Sequence, residues 1–240
     1  MSSEIFTLRS AGGTNRTGSS RQQLLELLVF LFLMVPSIVL SYFALHAAQP
    51  SFDFIAAATM LRELALVSLI AFFLWRNREP MTLVGWTARG AIREIAIGVL
   101  LFPMALFIGT AVNQWLRTAG LSGTTPAIAH SMTPVGVHQL VLSGFLVAVV
   151  AVCEETIFRG YLFLRLQSLT GSTAAGAFLS TILFAAGHGY EGVAGVSTVF
   201  TLGLVLVSVY LWRKSLIAPV VIHFLQDFLS IILLPVLLRK

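Results

Sequence analysis

The sequence predicts an all-α fold: a polytopic transmembrane helical bundle of about seven helices, with the N-terminus cytoplasmic. Three observations lead there. Only 10% of the 240 residues are charged and 57% are hydrophobic, whereas a soluble globular domain carries about 25% charge. Several apolar runs reach the roughly 20 residues needed for one helical crossing of a bilayer core. The positive residues lie between those runs, which is where membrane topology puts them. Backbone polar groups in lipid must all be paired, so the runs read as helices and not strands.

Taken in order, the runs place helices near residues 23–45, 55–75, 94–116, 138–167, 174–189, 195–212 and 216–238, the fifth being the shortest. Residues 1–20 are rich in Ser, Gly, Thr and Arg and lack apolar periodicity. They read as a disordered polar tail. Residues 21–240 read as a single transmembrane domain, since the length suits one domain. The run Leu24–Leu45 is too long for a typical signal-peptide core and reads as a retained helix. Pro36, Pro103 and Pro235 fall inside helices or near their ends, where they can introduce kinks.

Charge fixes the expected orientation. With a cytoplasmic N-terminus, the inner side gathers Arg9, Arg16, Arg21, Arg76, Arg78, Arg89, Arg93, Arg159, Arg165, Arg213 and Lys214. The outer side holds Arg117, Arg239 and Lys240, and Arg62 lies inside the second helix. That asymmetry follows the positive-inside rule and fits an odd number of crossings. The net charge of +5 therefore needs no nucleic acid, and no basic stripe with interleaved aromatics exists. Cys153 is the single cysteine, which excludes an intrachain disulfide and a CxxC metal motif. Trp75, Trp86, Trp115 and Trp212 mostly fall near helix ends, as interface anchors do.

Ionisable groups inside a membrane are costly, so each is a functional candidate. Five stand out: Glu154, Glu155, His188, His223 and Asp227. Adjacent helical residues point about 100° apart, so Glu154 and Glu155 are not expected to face one cavity in the same way. Glu155 and Arg159 are at i and i+4 and can pair. Glu154 is left without a local cationic partner, and a carboxylate in an apolar site suits a general base. The plainer alternative is that both acids pair with arginines only to hold helices together. His188 follows Ala185, Ala186 and Gly187, whose small size allows close helix approach. A lone His near a helix end is otherwise a satisfied hydrogen-bonding residue. His223 and Asp227, again at i and i+4, share a face and can act on one object, or simply bond to each other. At about 1.5 Å rise per residue, Glu154 lies roughly 18–20 Å from the cytoplasmic end of its helix, His223 roughly 12–14 Å and His188 roughly 20 Å. The three can share one layer of the bilayer.

These residues, in this order, resemble the motifs of the CPBP family of intramembrane proteases, also called the CAAX protease and bacteriocin-processing or Abi family, and are similar to the type II CAAX prenyl endopeptidases. EExxxR matches Glu154-Glu155 with Arg159, FxxxH matches Phe184 with His188, and HxxxN or HxxxD matches His223 with Asp227. The stretch Phe158-Arg159-Gly160-Tyr161-Leu162 is also similar. The resemblance spans about residues 138–238, the expected catalytic core; the first three helices do not contribute. Several relatives carry Asn where this chain has Asp227.

The resemblance implies an intramembrane endopeptidase acting on membrane-associated or prenylated CAAX-type substrates. Glu154 would be the base, His188 would orient or activate water, and His223 would donate to the oxyanion with Asp227 fixing its orientation. Glu155 and Arg159 would support them. A second version places a divalent metal such as zinc among Glu154, His188, His223 and Asp227. That metal would occupy the group proposed as base. HExxH and GxGD are both missing from the sequence, and Cys153 reads as a packing residue. The implied partners are membrane lipid and a peptide or lipidated protein, without nucleic acid. The implied setting is a prokaryotic plasma membrane, with a bacteriocin-type substrate or a role in self-immunity. Two other functions compete. One is a proton- or ion-coupled transporter, whose usual inverted repeat is not seen. The other is a non-catalytic immunity or scaffold protein, against which the retention of every polar position argues.

Overall fold

The computed structural model of the chain describes residues 20–47 and 50–238. The expected disordered tail, apart from Ser20, lies outside the described residues, as do Arg239 and Lys240. The described residues are helical with no strand. Helix α1 spans Ser20–Ala47, α2 Phe52–Arg76, α3 Ala91–Thr118 and the short α4 Pro126–Ser131. Helix α5 runs through Gly136–Thr170, α6 through Thr173–Ala186, α7 through Gly192–Arg213 and α8 through Ile217–Leu238.

Six of these (α1, α2, α3, α5, α7 and α8) are long and apolar enough to cross a bilayer. Their outward faces carry Phe32, Leu61, Ile92, Leu100 and Phe107, each more than 70% exposed. A water-soluble surface does not display such a coat, and the chain is an integral multi-pass membrane protein. The seventh apolar segment, α6, has 14 residues. At about 21 Å it falls short of a core about 30 Å thick. All seven expected segments are present, with ends displaced by a few residues. The largest consequence is at α6, which stops at Ala186 and leaves His188 in the turn beyond it. The short α4 was not anticipated.

Packing follows small residues and aromatic interdigitation. Phe30 and Met34 of α1 meet Ile70 and Phe73 of α2 and Ile157 and Tyr161 of α5 in one buried cluster. Helix α3 lies against α7 and α8 through Ala105, Leu206, Val209, Ala218 and Ile222. Gly98 sets the α3–α8 approach: a Cβ there would fall 2.7 Å from Val221 Cβ and 2.9 Å from the Ala218 carbonyl oxygen. The α2–α3 connection folds back under the bundle. Gly85 adopts φ +94°, a Cβ there would lie 2.6 Å from the Tyr210 ring, and its carbonyl accepts a 3.0 Å bond from Leu216 N. Trp86 follows it inward and donates from Nε1 to Thr156 Oγ1 at 3.0 Å. It is thus a partly buried structural residue, whereas Trp75, Trp115 and Trp212 are exposed at 63% or more, as interface anchors should be.

Several charges assigned by topology to the cytoplasmic side form ion pairs at one end of the bundle, Arg165 fully buried and Arg76 still exposed. Arg165 meets Glu79 and Glu26, and Arg76 also meets Glu26. Asn77 Nδ2 donates to Glu26 Oε1 at 2.9 Å. This network ties the start of α1 to the ends of α2 and α5. Arg213 and Glu94, 2.7 Å apart, tie α7 to α3 in the same way.

Gly98 and Gly144 offer a matched test, because both are helical and a Cβ at Gly144 meets nothing within 4 Å. Ala has the better helix propensity, by about 1 kcal/mol, so Gly144→Ala is expected to hold or raise the thermal-unfolding midpoint in detergent. Gly98→Ala is expected to lower it, because overpacking costs about 1–3 kcal/mol. Equal midpoints for the two variants would mean that α3 and α8 are not in close contact.

Candidate active site

Helix α5 supplies Glu154, Glu155 and Arg159, α8 supplies His223 and Asp227, and the turn after α6 supplies His188. The imidazole of His223 is the hub. Its Nδ1 lies 2.8 Å from Glu155 Oε1. Its Nε2 lies 3.5 Å from Asp227 Oδ2 and 3.8 Å from Glu154 Oε2. Arg159 Nη1 donates to Glu155 Oε1 at 2.7 Å, with both side chains essentially inaccessible. The same guanidinium sits 4.0 Å from the centroid of the Phe184 ring. That ring in turn lies edge-on to His188 and His223, at 5.0 and 6.0 Å between centroids. The motif phenylalanine is therefore the wall against which the arginine and both histidines are set.

The adjacent glutamates resolve differently from a simple choice between cavity and core. Glu155 and Arg159 are buried behind the site, while Glu154 lines the cavity. Both acids still reach His223, because an imidazole presents its two nitrogens on different edges. The helix widens here: residues Glu155–Leu162 form a π-helical stretch, and a second one, Phe228–Leu233, begins directly after Asp227. Wide i→i+5 turns are rare and are frequent at functional sites. Gly160 lets the widened turn meet the α2–α3 connection, since a Cβ there would come 2.8 Å from the Val84 carbonyl oxygen. Gly203 of α7 similarly clears room beside Arg159 Nη2, 3.3 Å from where its Cβ would be.

A cavity of about 640 Å³ opens on this cluster, and Glu154, His188, His223 and Asp227 all line it. Its remaining wall is largely apolar, including Met34, Ile38, Leu66, Leu146 and Val150. An apolar pocket with a few convergent polar groups is the usual form of a ligand site. His188 donates from Nδ1 to the Phe184 carbonyl at 3.1 Å, which leaves Nε2 for the cavity. Among the described residues it makes no ion pair with Glu154. The Oε2 atom of Glu154 is buried and has no hydrogen-bond partner. Tyr190 and Glu191, in the turn that follows His188, also line the cavity. His46 and His138 are exposed and away from it.

Two site residues lie outside the motifs. Arg62 and Glu63 stand near the middle of α2 and line the same cavity. The spacing of motifs does not select them, but the cost of intramembrane charge does, because an Arg-Glu pair interrupts an otherwise apolar run.

A metal needs several donors turned to one point. Among the described residues no group of three or more His, Cys, Asp or Glu side chains is placed to hold one. As arranged, the residues do not form a metal centre.

Residues 136–229 match the family model described as type II CAAX prenyl endopeptidase Rce1-like. That segment begins with α5 and ends within α8, so it contains all seven motif residues. No curated protein and no solved structure matches the chain. The matched segment coincides with the helices that build the cavity's polar floor, and this supports assigning the chain to the CPBP, or CAAX protease, family.

Proposed function

We propose that the chain is an intramembrane endopeptidase that hydrolyses peptide bonds of membrane-associated substrates, CAAX-type lipidated proteins among them, with a water activated by Glu154. One observation carries this reading: a buried carboxylate, short of hydrogen bonds, lines an apolar cavity opposite an imidazole locked in place from behind. Water placed between Glu154 and the substrate carbonyl gives its proton to the carboxylate while its oxygen adds to the carbonyl carbon. In its imidazolium form, His223 donates from Nδ1 to Glu155 and presents Nε2–H to the developing oxyanion. His188 Nε2 accepts from the water and aims it. Collapse of the tetrahedral intermediate breaks the C–N bond, and Glu154 returns the proton to the leaving amine. Arg159 takes no part in bond changes. It holds Glu155, and Glu155 rather than Asp227 sets the ring's orientation.

The arginine-rich ends support a cytoplasmic N-terminus. The proposed setting is a prokaryotic plasma membrane.

The test uses detergent-purified protein and quenched peptides, farnesylated C-terminal peptides among them. Glu154→Gln and Glu154→Ala are expected to lower kcat by about 10²–10⁴-fold, the usual range for a lost general base. Cleavage is expected to survive chelation; loss that zinc restores would replace the metal-free steps with metal chemistry. Ion flux in liposomes without any cleavage would overturn the peptidase reading in favour of transport.

His223→Ala is expected to cost about 10²–10³-fold in kcat, as loss of one oxyanion donor does. Asp227→Asn keeps an acceptor oxygen near Nε2 and is expected to stay within about tenfold of the parent, since the 3.5 Å contact is longer than a strong hydrogen bond. A collapse of kcat in Asp227→Asn would mean that the Asp227 charge takes part in the chemistry.

A further inference from the structure

Helix α2 presents one stripe to the cavity: Ile55, Ala58, Thr59, Arg62, Glu63 and Leu66. The spacing repeats every three or four residues, as one helical face requires. At its centre the Arg62 guanidinium is already spent. Nε and Nη2 donate to Glu63 Oε1 at 3.1 and 2.8 Å, and Nη1 reaches Ser41 Oγ at 3.4 Å. Glu63 is only 3% exposed, and its second oxygen, Oε2, is buried with no hydrogen-bond partner. A carboxylate oxygen left so in mid-helix is costly, and neither the fold nor the hydrolytic steps account for it. The rest of the ionisable lining adds acids, with Glu154, Glu191 and Asp227 facing His188 and His223. Among the described lining residues Arg62 is the one Lys or Arg, and Glu63 holds it.

We infer that Glu63 is a specificity-determining residue that binds a cationic group of the substrate, a Lys or Arg side chain flanking the scissile bond. The inference rests on the peptidase reading and names the substrate class it favours. An ammonium or guanidinium entering the cavity satisfies Oε2 and relieves the excess of acid. A neutral side chain does neither, and an acidic one adds repulsion. The apolar stretches of the same cavity accept the flanking hydrophobic residues, so the favoured substrate is a membrane-associated peptide with a basic residue set among apolar ones.

The experiment compares quenched peptides that differ only in Lys, norleucine or Glu at positions flanking the cleaved bond. The parent protein is expected to favour Lys over norleucine by about ten- to a hundredfold in kcat/KM, the worth of one charge-assisted hydrogen bond. Glu63→Gln is expected to abolish that preference, bringing kcat/KM for the Lys peptide down to that for the norleucine peptide. Arg62→Met frees Oε1 and is expected to sharpen the preference, which keeps the test decisive if Glu63→Gln does not fold. An unchanged Lys preference in the variants, or none in the parent, overturns the inference. Binding of the same peptides to Glu154→Gln protein, followed by fluorescence anisotropy, separates the two readings. Lys-selective binding that depends on Glu63, with no cleavage by the parent, sinks the peptidase reading and leaves the cation site standing.

Discussion

The Glu155–Arg159 ion pair is fully enclosed by the bundle, and the geometry of the site hangs on it. Two charges stripped of water at that depth require contacts beyond the pair itself. Here the requirement recruits three separate segments. His223 of α8 donates to the carboxylate, the Phe184 ring of α6 covers the guanidinium, and Gly203 of α7 leaves it space. An interaction that is local in sequence becomes the point at which four helices are mutually located. Removing either charge would strand the other in an apolar interior, which is a larger penalty than the pair itself is worth.

From that anchor the division of labour between the two glutamates follows. Glu155 is buried and takes both Arg159 and His223 on Oε1, at the back of the imidazole. Glu154 is under-satisfied and faces the cavity. Identical residues in neighbouring positions thus take different surroundings because a single ring stands between them. The widened turns of α5 and α8 start immediately after Glu154 and Asp227, so the two residues that flank His223 Nε2 each end a regular α-helical run. Widening lets the backbone shift without breaking hydrogen-bond continuity, which lipid would not forgive. The polar end of the bundle obeys the same logic. Arg165, Glu79, Glu26 and Arg76 are held as a network, and the pairs that neutralise them also clamp α1, α2 and α5.

Cavity and anchor also explain why a small chain can keep polar chemistry within an apolar body. The apolar wall supplied by α1, α2 and α5 excludes bulk water and strengthens each electrostatic contact inside. The family match covers the floor of this chamber and stops short of α1–α3. Those first helices still complete it, and Arg62 and Glu63 are their charged contribution. The part of the chain that carries no motif therefore shapes what the motif-bearing part can accept.

Sequence alone determined the class of this protein, because the bilayer imposes it: runs of about 20 apolar residues with few charges have one stable solution. It also determined the pairs that lie within one helix, Glu155 with Arg159 and His223 with Asp227, since i and i+4 positions share a face whatever surrounds them. The ordered acids and histidines made the expected site legible for the same reason. Tertiary structure decided what no helical period encodes. It set the Glu155–His223 contact across 68 positions, placed His188 beyond its helix, buried Arg165, and turned Trp86 inward to Thr156. It also brought Arg62 and Glu63 to a cavity whose other acids and histidines lie some 90 or more positions later. Such contacts depend on how close two helices come, and small residues such as Gly98, Gly160 and Gly203 set that distance only when paired with partners distant in the chain.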